Sequence, residues 1–148
     1  HQWFYALLGN DQIREPWLDE ALATFATVLY YERASGLGQG TGYLSDLRAI
    51  LRSHPDSTQP IGYGAGEYEH DADYVTFVYY KGALFLEALR NKLGTYRFEY
   101  FLSTLYSHYR YDIIHAEEFQ TTVETICSCD LQELFDLWVY EGGDILSP

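Results

Sequence analysis

Positive charge is scarce in this sequence. Nine Lys and Arg stand against 22 Asp and Glu, for a formal net charge of −13. A phosphate backbone is repelled by such a balance, so nucleic-acid binding is not expected. The acidic excess suits a cationic ligand, a metal ion or a free amino terminus, and it equally suits plain solubility. Long hydrophobic runs are missing too. None reaches the ~18 residues that a membrane span needs, so no spanning segment is predicted. Cysteine is reduced to two residues, Cys127 and Cys129, in ICSCD. A gap of one residue is too tight for an ordinary disulfide and makes a weak zinc site without partners. Both are expected to be free thiols near the end of a helix. Internal repeats, low-complexity tracts and strand-like alternation are absent as well.

What remains is apolar and rich in rings. Apolar residues make up 47% of the 148, ample for the core of one domain or one lobe of a larger one. Aromatics reach 18%, with 15 tyrosines. That density suits packed helices with amphipathic rings at their edges, and it also suits a pocket that grips side chains.

Helical spacing recurs along the chain. Residues 1 to 8 read as the tail of a helix that stops at Gly9-Asn10. Pro16 suits a first helical turn, and Leu18, Leu22, Phe25, Ala26 and Leu29 form an apolar stripe after it. GLGQGTG (36–42) reads as a glycine-rich loop. It lacks the following strand and the lysine of a phosphate loop, so no nucleotide role is expected. Leu44, Leu47, Ile50 and Leu51 mark a short helix. Residues 53–72 hold two prolines and three glycines and read as a long irregular segment, of the kind that is often functional in compact domains. Helices follow at about 73–93, around Phe98 to Tyr109, and around Phe119 to Ile126. A last one opens on a capping box, Asp130 with Glu133, and stops at Gly142-Gly143. The expected architecture is an all-α bundle of six or seven helices, forming a single lobe over residues 1–148.

Candidate chemistry begins with His1 and Glu20, which eighteen residues separate. If they lie on adjacent helices, an imidazole and a carboxylate can share one zinc ion. Ala23, Thr24 and Thr27 give Glu20 a small-residue face that lets another helix come near. Spacing alone equally allows a terminal histidine and a solvated carboxylate. His54, His70, His108 and His115 share no ligand spacing and read as surface or loop residues. Arg14 and Glu15 read as solvated.

HQWFYALLGNDQIREPWLDEALATF resembles the zinc-binding segment of the aminopeptidase N and leukotriene hydrolase family of gluzincin metallopeptidases. That family carries H-E-x-x-H, eighteen residues, and then a glutamate within W-L-N-E-G-F-A-T. WLDEALATF matches the second half, with Asp19 for the usual Asn and Ala21 for the usual Gly. FVYYKGALFLEAL resembles the family's Y-E-K-G-A segment, with Tyr80 for the usual Glu. STQPI resembles the loop before it, and DLQELFDLWVYEGGDILSP resembles the exit from the catalytic domain. The likeness runs along nearly the whole chain.

The resemblance implies a thermolysin-like catalytic domain, of which this chain is the helical lobe, and one catalytic Zn2+. His1 and Glu20 are implied as metal ligands and Tyr79 as the hydroxyl that stabilises the oxyanion. Tyr74 is a weaker candidate for the substrate cleft, and Asp19 for a hydrogen-bonding role behind the ligands. The implied substrates are peptides with a free amino terminus, cleaved by zinc-activated water. The first motif histidine, the general-base glutamate and the segment that holds the substrate amino group would precede His1. The 148 residues are therefore expected to be inactive alone and to bind zinc poorly, since ligand number sets affinity. The missing amino-terminal lobe is an implied partner, and exposure of Trp3 and Phe4 implies self-association. Two other functions fit the same residues: a non-catalytic helical scaffold derived from such a peptidase, and another gluzincin such as a thermolysin-like endopeptidase.

Overall fold

The computed structural model describes residues 8–146. The helix tail expected before Gly9, and the expectations for His1, Trp3 and Phe4, fall on or among residues outside that range. Leu8 and Gly9, which are described, form isolated bridges to Arg110 and Ile113 rather than helix.

Among the described residues, six helices build the lobe. The first, α1 (Trp17–Ser35), starts at Pro16, whose φ of −62° already suits a helix. Asp19 and Glu20 lie in its first turn, where the helix dipole favours negative charge. Gly36, at φ 93°, ends it. α2 (Leu37–Ser53) follows at once, so GLGQGTG is helical from Leu37 onward, contrary to the loop expectation. The reason is tertiary. Leu44, Leu47 and Leu51 bury against the core and anchor the helix. A β-carbon at Gly40 would stand 2.4 Å from the Glu32 side chain, so the missing side chain lets α2 run close to α1.

After the irregular segment, which holds only a short 3-10 turn (Ala65–Glu67), comes α3 (71–93). It is α-helical over Asp71–Tyr74, widens to a π-helix over Val75–Lys81, and returns to α over Gly82–Leu93. α4 (Thr95–Tyr109) and α5 (Ala116–Cys127) follow with short connections. α6 (132–140) is α over Gln132–Phe135 and π over Asp136–Tyr140. Its expected capping box is replaced: the Gln132 N–H donates to Asp130 and the Leu131 N–H to Glu124.

One core joins these helices. Trp17 of α1 meets Phe85 and Phe119 edge-on, and Phe119 meets Phe101 and Phe135 in the same way. All five rings are essentially without solvent contact, and burying each contributes ~1.5–3 kcal/mol. No described helix is long and apolar enough to cross a membrane.

Cys127 and Cys129 are joined in a disulfide, which corrects the free-thiol expectation. Ser128 between them takes the left-handed conformation, φ 52°. That turn brings the two Cα atoms to 5.1 Å, within reach of a bridge.

Candidate active site

Glu20 sits on the fourth residue of α1, half-buried, and Tyr79 in the π segment of α3. The Tyr79 hydroxyl donates to Glu20 Oε1 at 2.6 Å. The two helices meet through small residues. A β-carbon at Gly82 would lie 2.7 Å from the Ala21 β-carbon, so the close approach runs through Ala21, next to Glu20 in the chain. Thr24, which is buried, donates back to the Glu20 carbonyl at 2.8 Å.

The π segment explains how Tyr74 reaches this place. Five residues along an ordinary α-helix turn the side chain well away from its starting face, whereas the i→i+5 pattern of a π-helix stacks residues five apart. Tyr74 and Tyr79 accordingly meet edge-on with ring centroids 5.9 Å apart. Tyr68 packs on Tyr74 at 5.5 Å and lies nearly parallel to Phe77 at 6.4 Å. The same pattern recurs in α6, where Phe135 contacts Tyr140 at 6.2 Å.

Electrostatics keep the tyrosines protonated. Burial pushes the Tyr79 hydroxyl well above its ordinary value of 10, and the hydrogen bond to Glu20 pushes it further. Tyr74 is raised by burial and then by the charges of Glu20 and Asp19. Both rings therefore present O–H donors at neutral pH. Asp19 is 3% exposed. Asn10 Nδ2 donates to its Oδ1 at 3.2 Å and Gln12 Nε2 to its Oδ2 at 3.4 Å. Burial raises its pKa first, then the charge of Glu20, and the two amide bonds oppose the shift.

His1 lies outside the described residues. Among the described residues no cluster of three His, Cys, Asp or Glu side chains is arranged to hold a metal ion. The Glu20 carboxylate is nevertheless a suitable oxygen donor for zinc, on a rigid element and half-buried.

Several residues have partners that spacing did not reveal. His54 is mostly buried, with Nε2 3.0 Å from Asp73 and its ring edge-on to Phe77, so it is not a free surface histidine. Glu15 is not simply solvated: it accepts from the Ala116 N–H at 3.0 Å and from His115 Nδ1 at 2.8 Å, and so caps α5. Lys81 is fully buried. The signal for Lys81 was its place in the Y-x-K-G pattern; lysine is otherwise a surface residue.

The model of the peptidase family M1 domain matches residues 1–138. Aminopeptidase M1-B of rice (Oryza sativa subsp. japonica) is 26% identical over 97% of this chain, and aminopeptidase M1-D of rice is 25% identical over the same share. This chain spans 17% of the length of each. Among solved structures, a variant of an M1 zinc metallopeptidase from Deinococcus radiodurans superimposes with a TM-score of 0.76 at 28% identity. The match takes in 100% of this chain and 32% of that one. The same metallopeptidase variant bound to a Tyr-Ser-Ala substrate gives 0.75 at 29% identity, with the same coverage.

Proposed function

Because this chain belongs to peptidase family M1, we propose that it supplies part of the active site of a zinc aminopeptidase acting on peptides with a free amino terminus. The observation that carries the reading is the 2.6 Å contact between Tyr79 and Glu20, two residues that fall at the ligand and oxyanion positions of the two family motifs.

The roles follow from chemistry. Glu20 and His1 would hold zinc, with a further histidine preceding His1 in the family pattern. Zinc, when bound there, supplies an acidified water and a Lewis acid for the scissile carbonyl. Tyr79 is placed to donate its O–H to charge that develops on that carbonyl oxygen. It already donates to a carboxylate oxygen, so the reaction asks it to exchange one anionic acceptor for another nearby. Tyr74 braces the Tyr79 ring edge-on and offers an aromatic wall to the substrate. Asp19, held by Asn10 and Gln12, fixes the turn from which Glu20 projects.

The 148 residues by themselves hold two of the three expected ligands and no general-base glutamate of the H-E-x-x-H type. We therefore propose that they are inactive alone. The test is zinc content and hydrolysis of aminoacyl-anilides, measured on the full-length protein and on this chain. Zinc-dependent turnover is expected only from the full-length protein. Absence of both zinc and turnover there would overturn the assignment, and turnover by the 148-residue chain would overturn its inactivity.

A further inference from the structure

A lysine without solvent contact lies behind the Tyr79 wall. Lys81 is 0% exposed. Its Nζ donates to the carbonyls of Ser57 at 2.9 Å and Gln59 at 2.7 Å, and it sits 5.9 Å from the centroid of the Phe77 ring. The carbonyl between them, Thr58, faces the other way and accepts from the Gly143 N–H at 2.8 Å. The Ser57–Gln59 segment is thus clamped alternately by α3 and by the chain leaving α6. Two further bonds continue the clamp: Ile61 N–H to the Trp138 carbonyl and Gly62 N–H to the Val139 carbonyl.

Burying an ammonium is expensive, and an apolar side chain of similar volume commonly stabilises as well or better. What the ammonium adds is geometry: it fixes two backbone carbonyls relative to one turn of helix. That turn is the π segment. Lys81 is its last residue and Tyr79 lies two before it. Phe77, in the same segment, receives Lys81 on one side, His54 edge-on at 4.8 Å, and Tyr68 nearly parallel. Tyr68 leads to Tyr74, and Tyr74 to Tyr79. A π turn is a weaker helix form that is retained mainly where a site needs it, so an external brace is physically useful there.

We propose that Lys81 is a positioning residue for Tyr79. By tying the Ser57 and Gln59 carbonyls to the end of the π turn, it holds the register in which the Tyr79 hydroxyl reaches the reacting oxygen. The inference rests on the assignment of Tyr79 as oxyanion donor.

The test is a double-mutant cycle in the full-length, zinc-loaded protein, using Lys81→Met and Tyr79→Phe, with kcat and KM read separately and zinc stoichiometry measured on each variant. Lys81→Met alone is expected to lower kcat about 10- to 100-fold, the scale of a small misplacement of a catalytic group. KM should stay within about twofold and zinc content should be unchanged. In the Tyr79→Phe background the same change should cost less than about twofold, because the group it positions is gone. An equal loss in both backgrounds, or no loss in either, overturns the proposal while leaving Tyr79 assigned. Wild-type kcat in Tyr79→Phe alone overturns both. If Lys81→Met does not fold, Lys81→Gln, which is too short to tie both carbonyls, takes its place in the cycle with the same expected losses. If neither folds, Lys81 is a folding element and the proposal falls.

Discussion

The hydroxyl of Tyr79 and the carboxylate of Glu20 meet at 2.6 Å across 59 residues of sequence. Neither residue is distinctive on its own in a chain with 15 tyrosines and 22 acidic residues. Their meeting depends on two small residues, Ala21 and Gly82, which let α1 and α3 come together. It depends also on a widened helical turn that aims the ring.

Removal of that hydroxyl is the first expectation. Tyr79→Phe in the full-length protein should lower kcat about 100- to 1,000-fold, as for loss of one oxyanion donor. KM should change little, because in the proposed role the bond forms fully only in the transition state. Steady-state kinetics on an aminoacyl-anilide decides it.

Replacing the carboxylate should act on the metal instead. Glu20→Gln keeps the size of the side chain and removes its charge, so zinc affinity is expected to fall and activity with it. Elemental analysis after dialysis checks this, and recovery of turnover at high added zinc would separate lost metal from lost fold.

The helix crossing can be probed without touching either functional group. Gly82→Ala would place a β-carbon 2.7 Å from that of Ala21. The helices must part, at a cost of about 1–3 kcal/mol by the usual scale of overpacking. A thermal melt is the measurement, and a variant as stable as the parent would show that the crossing yields freely.

A pH effect is expected just before α1, where Glu15 meets His115. The hydrogen bond to Glu15 raises the His115 pKa above its ordinary value of 6.5. The favourable pairing is therefore fully present below pH 6.5 and is lost as pH rises through the folded value. An NMR titration of the His115 ring should show a midpoint above 6.5, and Glu15→Gln should bring that midpoint down.

The disulfide predicts that Cys127 and Cys129 resist alkylation until reduced. Its ring closes very few residues, so by loop-closure reasoning its loss costs only about 1–2 kcal/mol. Mass spectrometry with and without reductant, and Cys127→Ser in denaturant melts, test the two parts separately.

Much of this architecture was legible in the sequence where local pattern and tertiary packing agree. Leu18, Leu22 and Phe25 marked α1, and Phe98, Phe101 and Leu105 marked α4; all six are buried. The motifs singled out Glu20 and Tyr79, and the fold brings the two into hydrogen-bonding contact. Legibility failed where packing overrode composition. Gly36 to Gly42 look like a loop because glycine disfavours helix, yet the leucines that follow draw the segment into α2. It failed for Cys127 and Cys129 because a left-handed Ser128 is invisible in a residue count. Lys81 stands in a recognisable pattern, yet its burial was hidden for a different reason: its partners are the backbone carbonyls of Ser57 and Gln59, which no pattern of side chains reveals. Glu15 and His115 find each other across 100 residues, a distance over which periodicity says nothing.

The π turn of Val75–Lys81 has one more consequence, for how this stretch can change length. A π turn is an α-helix that has taken in a residue. Deleting one position between Tyr74 and Tyr79 would leave every helical hydrogen bond formable and would keep the apolar composition. It would also leave Tyr74 and Tyr79 four residues apart, a spacing that an α-helix places on one face, so the two rings would still meet. The change that would part the rings is to straighten the turn to α with every residue kept, since five α-helical residues carry Tyr79 about 140° past Tyr74. The extra residue is thus absorbed by the turn, and it is the turn's width rather than its composition that keeps the two rings together.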